Sequence, residues 1–326
     1  MKIDIFSHIV PKKYKEELLK RTKSDLSKLT QWVNFNLALS DLDIRFRAMD
    51  RTPDVVQVLT VALPPLEVVL SPEDAVVLAK IANDEMAELV MKYPNRFLAA
   101  AASLPLNDID AALKETDRAI TELGFKGVQI FSNINGEPLD APKFKALYEK
   151  MAEHDLPIWI HPWYLPVSSP IPNNLPKEIQ EYFARQFIQP IEWPIDTTLA
   201  MIRLALSGIF EDHPNIKFIT HHCGGMVPFY DGRIGIENTR KFYADTAVWG
   251  VTGALMCGHA FFGTDHLLFG TDAPLGGRIS HPRNPGETRY GGTLDTIYSI
   301  ERMNIPSEDK EKIFYDNAIR LLRLVV

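Results

Sequence analysis

The chain of 326 residues is 46% hydrophobic, enough to bury a large core, and its length suits one α/β barrel or two ordinary domains. A formal net charge of −7 without a clustered basic run argues against a general nucleic-acid binder, because a phosphate backbone asks for a basic surface. No apolar stretch reaches the ~20 residues of a membrane span, a first strand containing Asp4 and His8 is no secretory leader, and two cysteines, Cys223 and Cys257, make no disulfide framework, so a soluble cytoplasmic protein is expected.

Taken in chain order, β-rich apolar runs alternate with helical patterns, the mark of βα units and a parallel sheet. Strands are expected over residues 2–8, 55–63, 97–104, 127–131, 157–161, 216–222, 244–248 and 267–271. Helices fit over 42–50, 72–93, 109–123, 141–154, 194–212, around Leu255, 293–303 and 308–324. Ser71 before Pro72, and Asp140 before Ala141-Pro142, are N-cap signals. Eight strands with intervening helices predict a (β/α)8 TIM barrel, read as a single domain over 1–326 with insertions near 9–41 and 163–193. Insertions of that length in a compact domain shape a site or an interface.

In such a barrel the chemistry sits at the C-terminal ends of the strands. Those ends carry His8, His161, the pair His221-His222, and Asp272. One buried histidine alone is more often a satisfied core residue than a ligand. Three histidine-bearing strand ends and an aspartate together make an N/O set suited to a zinc-like ion with an open position. His222 is preferred as the acid/base group because it adjoins the turn Cys223-Gly224-Gly225, while His221 packs or hydrogen-bonds below it. Phe6 occupies the place two residues before His8 where a His-x-His pair would supply a second imidazole. Strand four offers no lysine at its C-terminal end, since Lys126 lies at the entrance side, so a carbamylated bridging lysine is not expected and the site is read as mononuclear. Cys223 reads as a small buried thiol, and Asp196, Asp231, Asp245 and His259 as caps, turns or supporting partners. Trp159 is assigned to packing; Trp163, Tyr164 and Trp193 are candidate substrate walls.

Several motifs carry a resemblance. The opening Met-Lys-Ile-Asp-Ile-x-Ser-His-Ile-x-Pro, the run Ile158-Trp159-Ile160-His161-Pro162-Trp163, the turn His222-Cys223-Gly224-Gly225 and the end Phe269-Gly270-Thr271-Asp272-Ala273-Pro274 occur in order, with weaker agreement at Gly127-Val128-Gln129-Ile130 and Asp196-Thr197-Thr198. Together they resemble, almost end to end, the amidohydrolase-related decarboxylases typified by α-amino-β-carboxymuconate-ε-semialdehyde decarboxylase. The resemblance implies His8, His161 and Asp272 as ligands of one divalent metal, zinc in this reading, and His222 as general acid/base, with Asp272 sharing in the proton transfers as a catalytic residue. Phe6 stands where that family has its other first-strand histidine, or in a related clade a glutamate. The loop after strand one lacks the family's carboxylate-binding arginine, which implies a different substrate. Arg233 or Arg240 is similar in position to an arginine that crosses a dimer interface, so a homodimer is implied.

The expected activity is therefore that of a lyase, a metal-dependent non-oxidative decarboxylase of a small unsaturated or aromatic carboxylic acid. Rivals are a hydrolase or hydratase using the same water activation on a lactone or unsaturated acid, and a metal-free or non-catalytic descendant that binds a small acid, with Phe6 against an aromatic ligand.

Overall fold

A computed structural model describes residues 1–22, 36–163, 189–275 and 292–325. Eight short strands follow one another as β1 (Lys2–Ile9), β2 (Val55–Val61), β3 (Phe97–Ala100, continued by Ala102–Ser103), β4 (Val128–Phe131), β5 (Ile158–His161), β6 (Phe218–Thr220), β7 (Tyr243–Asp245) and β8 (Leu267–Leu268). Each pairs in parallel with the next. At β3 one edge serves β2 and the other β4, through Ala101 N to Leu59 O (2.9 Å) and Ala102 N to Gly127 O (2.9 Å). Ile5 N donates to Phe269 O (2.9 Å), Asp272 N to Phe6 O (2.9 Å) and His8 N to Ala273 O (2.6 Å), which brings the chain beyond β8 alongside β1. The eight strands thus form the ring of a (β/α)8 barrel, as the alternating pattern predicts.

The buried apolar residues fall into two clusters. Ile3, Ile5, Phe6, Val56, Val58, Trp159 and Ile219 form one buried cluster, and Trp159 Nε1 donates to Ile5 O at 3.0 Å. A larger apolar layer joins strands to helices such as Pro72–Lys92, whose N-terminus is capped by Ser71 Oγ accepting from Asp74 N. Asp140 does not cap its helix; it pairs with Arg203 at 2.8 Å, and the turn Pro142–Phe144 precedes the helix Lys145–His154.

Other departures have local causes. The strand expected to 222 ends at Thr220, because His222 and Cys223 adopt φ of 54° and 55°, which extended pairing does not permit. The helix expected over 194–212 begins at Gln189 with Pro194 inside it and ends at Leu206, and Gly208 at φ 83° separates a second turn, Ile209–Asp212. Residues 308–324 divide where a π-helical turn, Lys312–Asp316, follows Ser307–Glu311. Within the span expected as a long connection, 9–41, the helix Lys12–Arg21 buries Tyr14 and Leu18.

Two buried polar groups hold β1. Asp4 accepts from Thr271 Oγ1 (2.6 Å), Thr271 N (3.0 Å) and Phe6 N (3.2 Å); burial pushes its carboxyl up to about 7 and these bonds oppose the rise. Arg45, on the helix Leu42–Met49, donates to His8 O (2.6 Å), Ser7 Oγ (2.8 Å) and Gln57 Oε1 (2.8 Å).

Glu67, in the short helix Leu66–Val69 after β2, is buried and its Oε1 has no hydrogen-bond partner among the described residues. Burial raises its carboxyl from 4.5 to about 7. Below the unfolded value both states hold the proton. Between the two values only the folded state keeps it, so stability falls by ~1.4 kcal/mol per pH unit and then levels off above about 7. Relative to the parent, Glu67→Gln should therefore gain roughly 2–3 kcal/mol on moving from pH 4.5 to pH 8. Urea unfolding at both pH values measures this; an equal difference at each would contradict it.

Candidate active site

The barrel mouth gathers side chains from distant parts of the chain. His8, at the end of β1, and His161, at the end of β5, approach each other Nε2 to Nε2 at 3.2 Å, and Asp272 Oδ1 lies 3.3 Å from the same His8 nitrogen. All three are buried. Asp272 adopts φ 62°, a conformation that non-glycine residues hold at a cost, and it does so where its carboxylate turns toward His8.

Hydrogen-bond chemistry then constrains the protons. A carbonyl oxygen can only accept, so the 2.7 Å contact of His161 Nδ1 with Pro162 O places the proton on Nδ1 and leaves a lone pair on Nε2. His8 Nδ1 contacts Thr60 Oγ1 at 3.1 Å, leaving its Nε2 to face His161 and Asp272. Two imidazole nitrogens and a carboxylate in contact need either a proton on His8 Nε2 or a cation among them. Burial holds the His161 imidazole well below its ordinary value, and the His8 and His221 charges would lower it further, so it is neutral and able to donate a lone pair.

Phe6 is fully buried beneath this group. Its ring stacks on His221 at 3.6 Å and 17° and meets His8 edge-on at 4.7 Å. Gly270 makes room, since a Cβ there would lie 3.1 Å from Phe6 Cβ and 2.8 Å from Asp245 Cβ. Phe6 is therefore a floor under the imidazoles.

Of the two adjacent histidines, His221 is fully buried and His222 partly so. His221 Nδ1 meets Asp245 Oδ2 at 2.7 Å, while Asp245 Oδ1 accepts from Ala247 N (2.9 Å) and Cys223 N (3.2 Å). Burial pushes the Asp245 carboxyl up to about 7 and holds the His221 imidazole well down. His221 is thus part of the polar cluster, and the strand ends would have shown it had Asp245, the last residue of β7, been taken with them. His222 turns the other way: its ring lies parallel to that of Trp193 at 6.2 Å, and its Nδ1 is buried with no partner among the described residues. The turn that follows His222 needs glycine at 225, where φ is 61° and a Cβ would press on the Pro194 carbonyl.

The remaining expected site residues divide. Trp193 meets His161 edge-on at 6.1 Å, and Trp163 meets Phe131 at 6.3 Å, which itself packs on His161. Asp196 ties this wall together by accepting from Trp163 N at 2.9 Å and from Ser132 Oγ. Tyr164 lies outside the described residues. Arg240 donates to Phe261 O (2.8 Å) and Asp231 (2.5 Å), and Arg233 is exposed on the turn Asp231–Ile234. Cys223 is buried, and burial and Asp245 push its thiol up.

The sequence profile named amidohydrolase matches residues 8–324. The chain belongs to the amidohydrolase family. This amidohydrolase is 32% identical over 196 residues to 2-amino-3-carboxymuconate-6-semialdehyde decarboxylase of Dictyostelium discoideum, a match spanning 60% of the chain and 51% of that protein. It is 28% identical to γ-resorcylate decarboxylase of a Rhizobium species, over 321 residues and 90% of each chain. Its fold superposes with a TM-score of 0.76 on dihydroxybenzoic acid decarboxylase of a Polaromonas species, solved with bound manganese and 2-nitroresorcinol, at 24% identity and covering 99% and 96% of the two chains. No helix among the described residues is long and apolar enough to cross a membrane.

Among the described residues no three His, Cys, Asp or Glu side chains stand ready as a metal shell. Their chemistry nevertheless fits one. Two imidazole nitrogens and a carboxylate oxygen are donors that a divalent ion takes, and His8 Nε2 stands 3.2 Å from His161 Nε2 and 3.3 Å from Asp272 Oδ1.

Proposed function

We infer that this amidohydrolase is a metal-dependent, non-oxidative decarboxylase of a small unsaturated or aromatic carboxylic acid, working with one divalent ion. Zinc is the ion that the nitrogen-rich donor set favours. The observation carrying this reading is the contact of His8 with both His161 and Asp272, at the ends of β1 and β5 and just beyond β8. Two relatives named as decarboxylases support the reaction type.

When bound, the ion would be held by His8, His161 and Asp272 and would supply positive charge for electron density that builds on the substrate as carbon dioxide forms. The bond from the carboxyl carbon to its neighbour breaks, the electron pair stays on the neighbour, and a proton takes the departing group's place. His222 is the proton donor in this reading, because its Nδ1 is buried with no competing partner among the described residues. Trp193, parallel to His222, and Trp163 wall the substrate, and Thr60 and the Pro162 carbonyl keep the His8 and His161 rings in orientation. Exposed Arg233, rather than Arg240 with its own-chain bonds, is the arginine free to reach a partner subunit in a cytoplasmic homodimer.

The purified, metal-loaded protein should release labelled carbon dioxide from at least one member of a panel of ortho-hydroxybenzoates and carboxylated muconate semialdehydes. Incorporation of solvent oxygen into product without carbon dioxide release would replace decarboxylation by hydrolysis or hydration.

A further inference from the structure

His8, His161 and Asp272 offer two imidazole nitrogens, and a third buried imidazole, His221, packs against His161 with a nitrogen that has no partner among the described residues. His8, His161 and His221 share one pattern. Each ring has its Nδ1 satisfied by a protein group, respectively Thr60 Oγ1, the Pro162 carbonyl and Asp245 Oδ2. His8 and His161 bring their remaining Nε2 atoms together, and His221 Nε2 is buried with no partner among the described residues. An imidazole that donates Nδ1–H to a carboxylate and keeps an unshared Nε2 pair is the usual form of a metal-ligating histidine. The His221 ring meets that of His161 at 5.5 Å, and both pack on Phe6, at 3.6 and 5.7 Å. His222 breaks the pattern, since its own Nδ1 is the atom without a partner among the described residues.

The geometry points to His221 as the fourth protein donor to the metal, with Phe6 as the platform that fixes its plane and Asp245 as the group that orients it. The site would then be three histidines and one aspartate, with the third imidazole drawn from the end of β6 rather than from β1. This rests on the metal reading above and makes a claim beyond it, because it moves a residue from the packing to the donor set and separates the roles of two adjacent histidines.

Binding of zinc alone, measured by competition with a chromophoric chelator on the full-length protein stripped of metal, tests it. His221→Gln is expected to weaken binding by more than about 100-fold, as His161→Gln does, because a lost ligand exceeds the ~10–100-fold effect of a supporting partner. His222→Gln should stay within about twofold of the parent. Parent-like affinity of a folded His221→Gln, beside a loss in His161→Gln, would overturn the inference and leave the metal reading standing; no zinc binding by the parent would remove both. Should His221→Gln fail to fold, X-ray absorption of the zinc-loaded parent decides the matter: three imidazoles on the ion support the inference and two overturn it.

Discussion

Asp272→Asn is expected to lower turnover by about 10³-fold or more while leaving the protein folded. Asparagine tolerates the left-handed backbone at this position, where φ is 62°, and keeps nearly the same volume, so the substitution removes charge with little change of shape. What disappears is the carboxylate 3.3 Å from His8 Nε2, the one anionic donor among the groups expected to hold the ion. Without it the imidazoles face a cation with no balancing charge, and the proton inventory of the site changes. His161→Ala should act similarly, since its Nε2 lone pair is directed at the same nitrogen of His8. Turnover by carbon dioxide release, zinc content and the urea midpoint would be measured together. Unaltered metal content and full activity in both variants would refute the proposed site.

The second large effect is on stability. Arg45→Met should cost about 3–5 kcal/mol, because it leaves the buried acceptors His8 O, Ser7 Oγ and Gln57 Oε1 without their donor. Burial lowers the Arg45 guanidinium to about 10, opposed by the charge of nearby Asp4, so it is charged in the folded protein at neutral pH. Its stem packs beside Phe97, with the guanidinium carbon 5.4 Å from the ring centre, and methionine recovers that apolar contact but none of the hydrogen bonds. Because the lost bonds hold β1 at His8, metal affinity should fall with stability. A change below about 1 kcal/mol in the urea-derived free energy would show that the network is dispensable.

Much of this protein was legible along the chain. Period-two and 3.6-residue patterns mark the strands and helices of a barrel, and once the barrel is accepted, residues 8, 161 and 272 fall at strand ends because each closes an apolar run. Thr60 was equally visible, as a hydroxyl in the otherwise apolar Val58-Leu59-Thr60-Val61, although its role was not, because its partner His8 is 52 residues away. The cap at Ser71 was legible since capping is local. Asp140 misled because a distant arginine, Arg203, competes for its carboxylate.

The choice between His221 and His222 shows where local reasoning stops. Alternation predicts that neighbours diverge, but it does not say which one faces the centre once the strand has ended. That depends on left-handed backbone at 222 and 223, on Asp245 from the next strand, and on a phenyl ring from β1 that stacks on one imidazole and not the other. Sequence by itself determined the barrel and the positions of residues 8, 161 and 272 near its mouth, because periodicity and motif spacing are properties of neighbouring residues. Tertiary structure alone decided which buried nitrogen faces which acceptor and how Arg45 and Asp4 hold the first strand, because hydrogen bonds are set by distance in space between segments up to 267 residues apart.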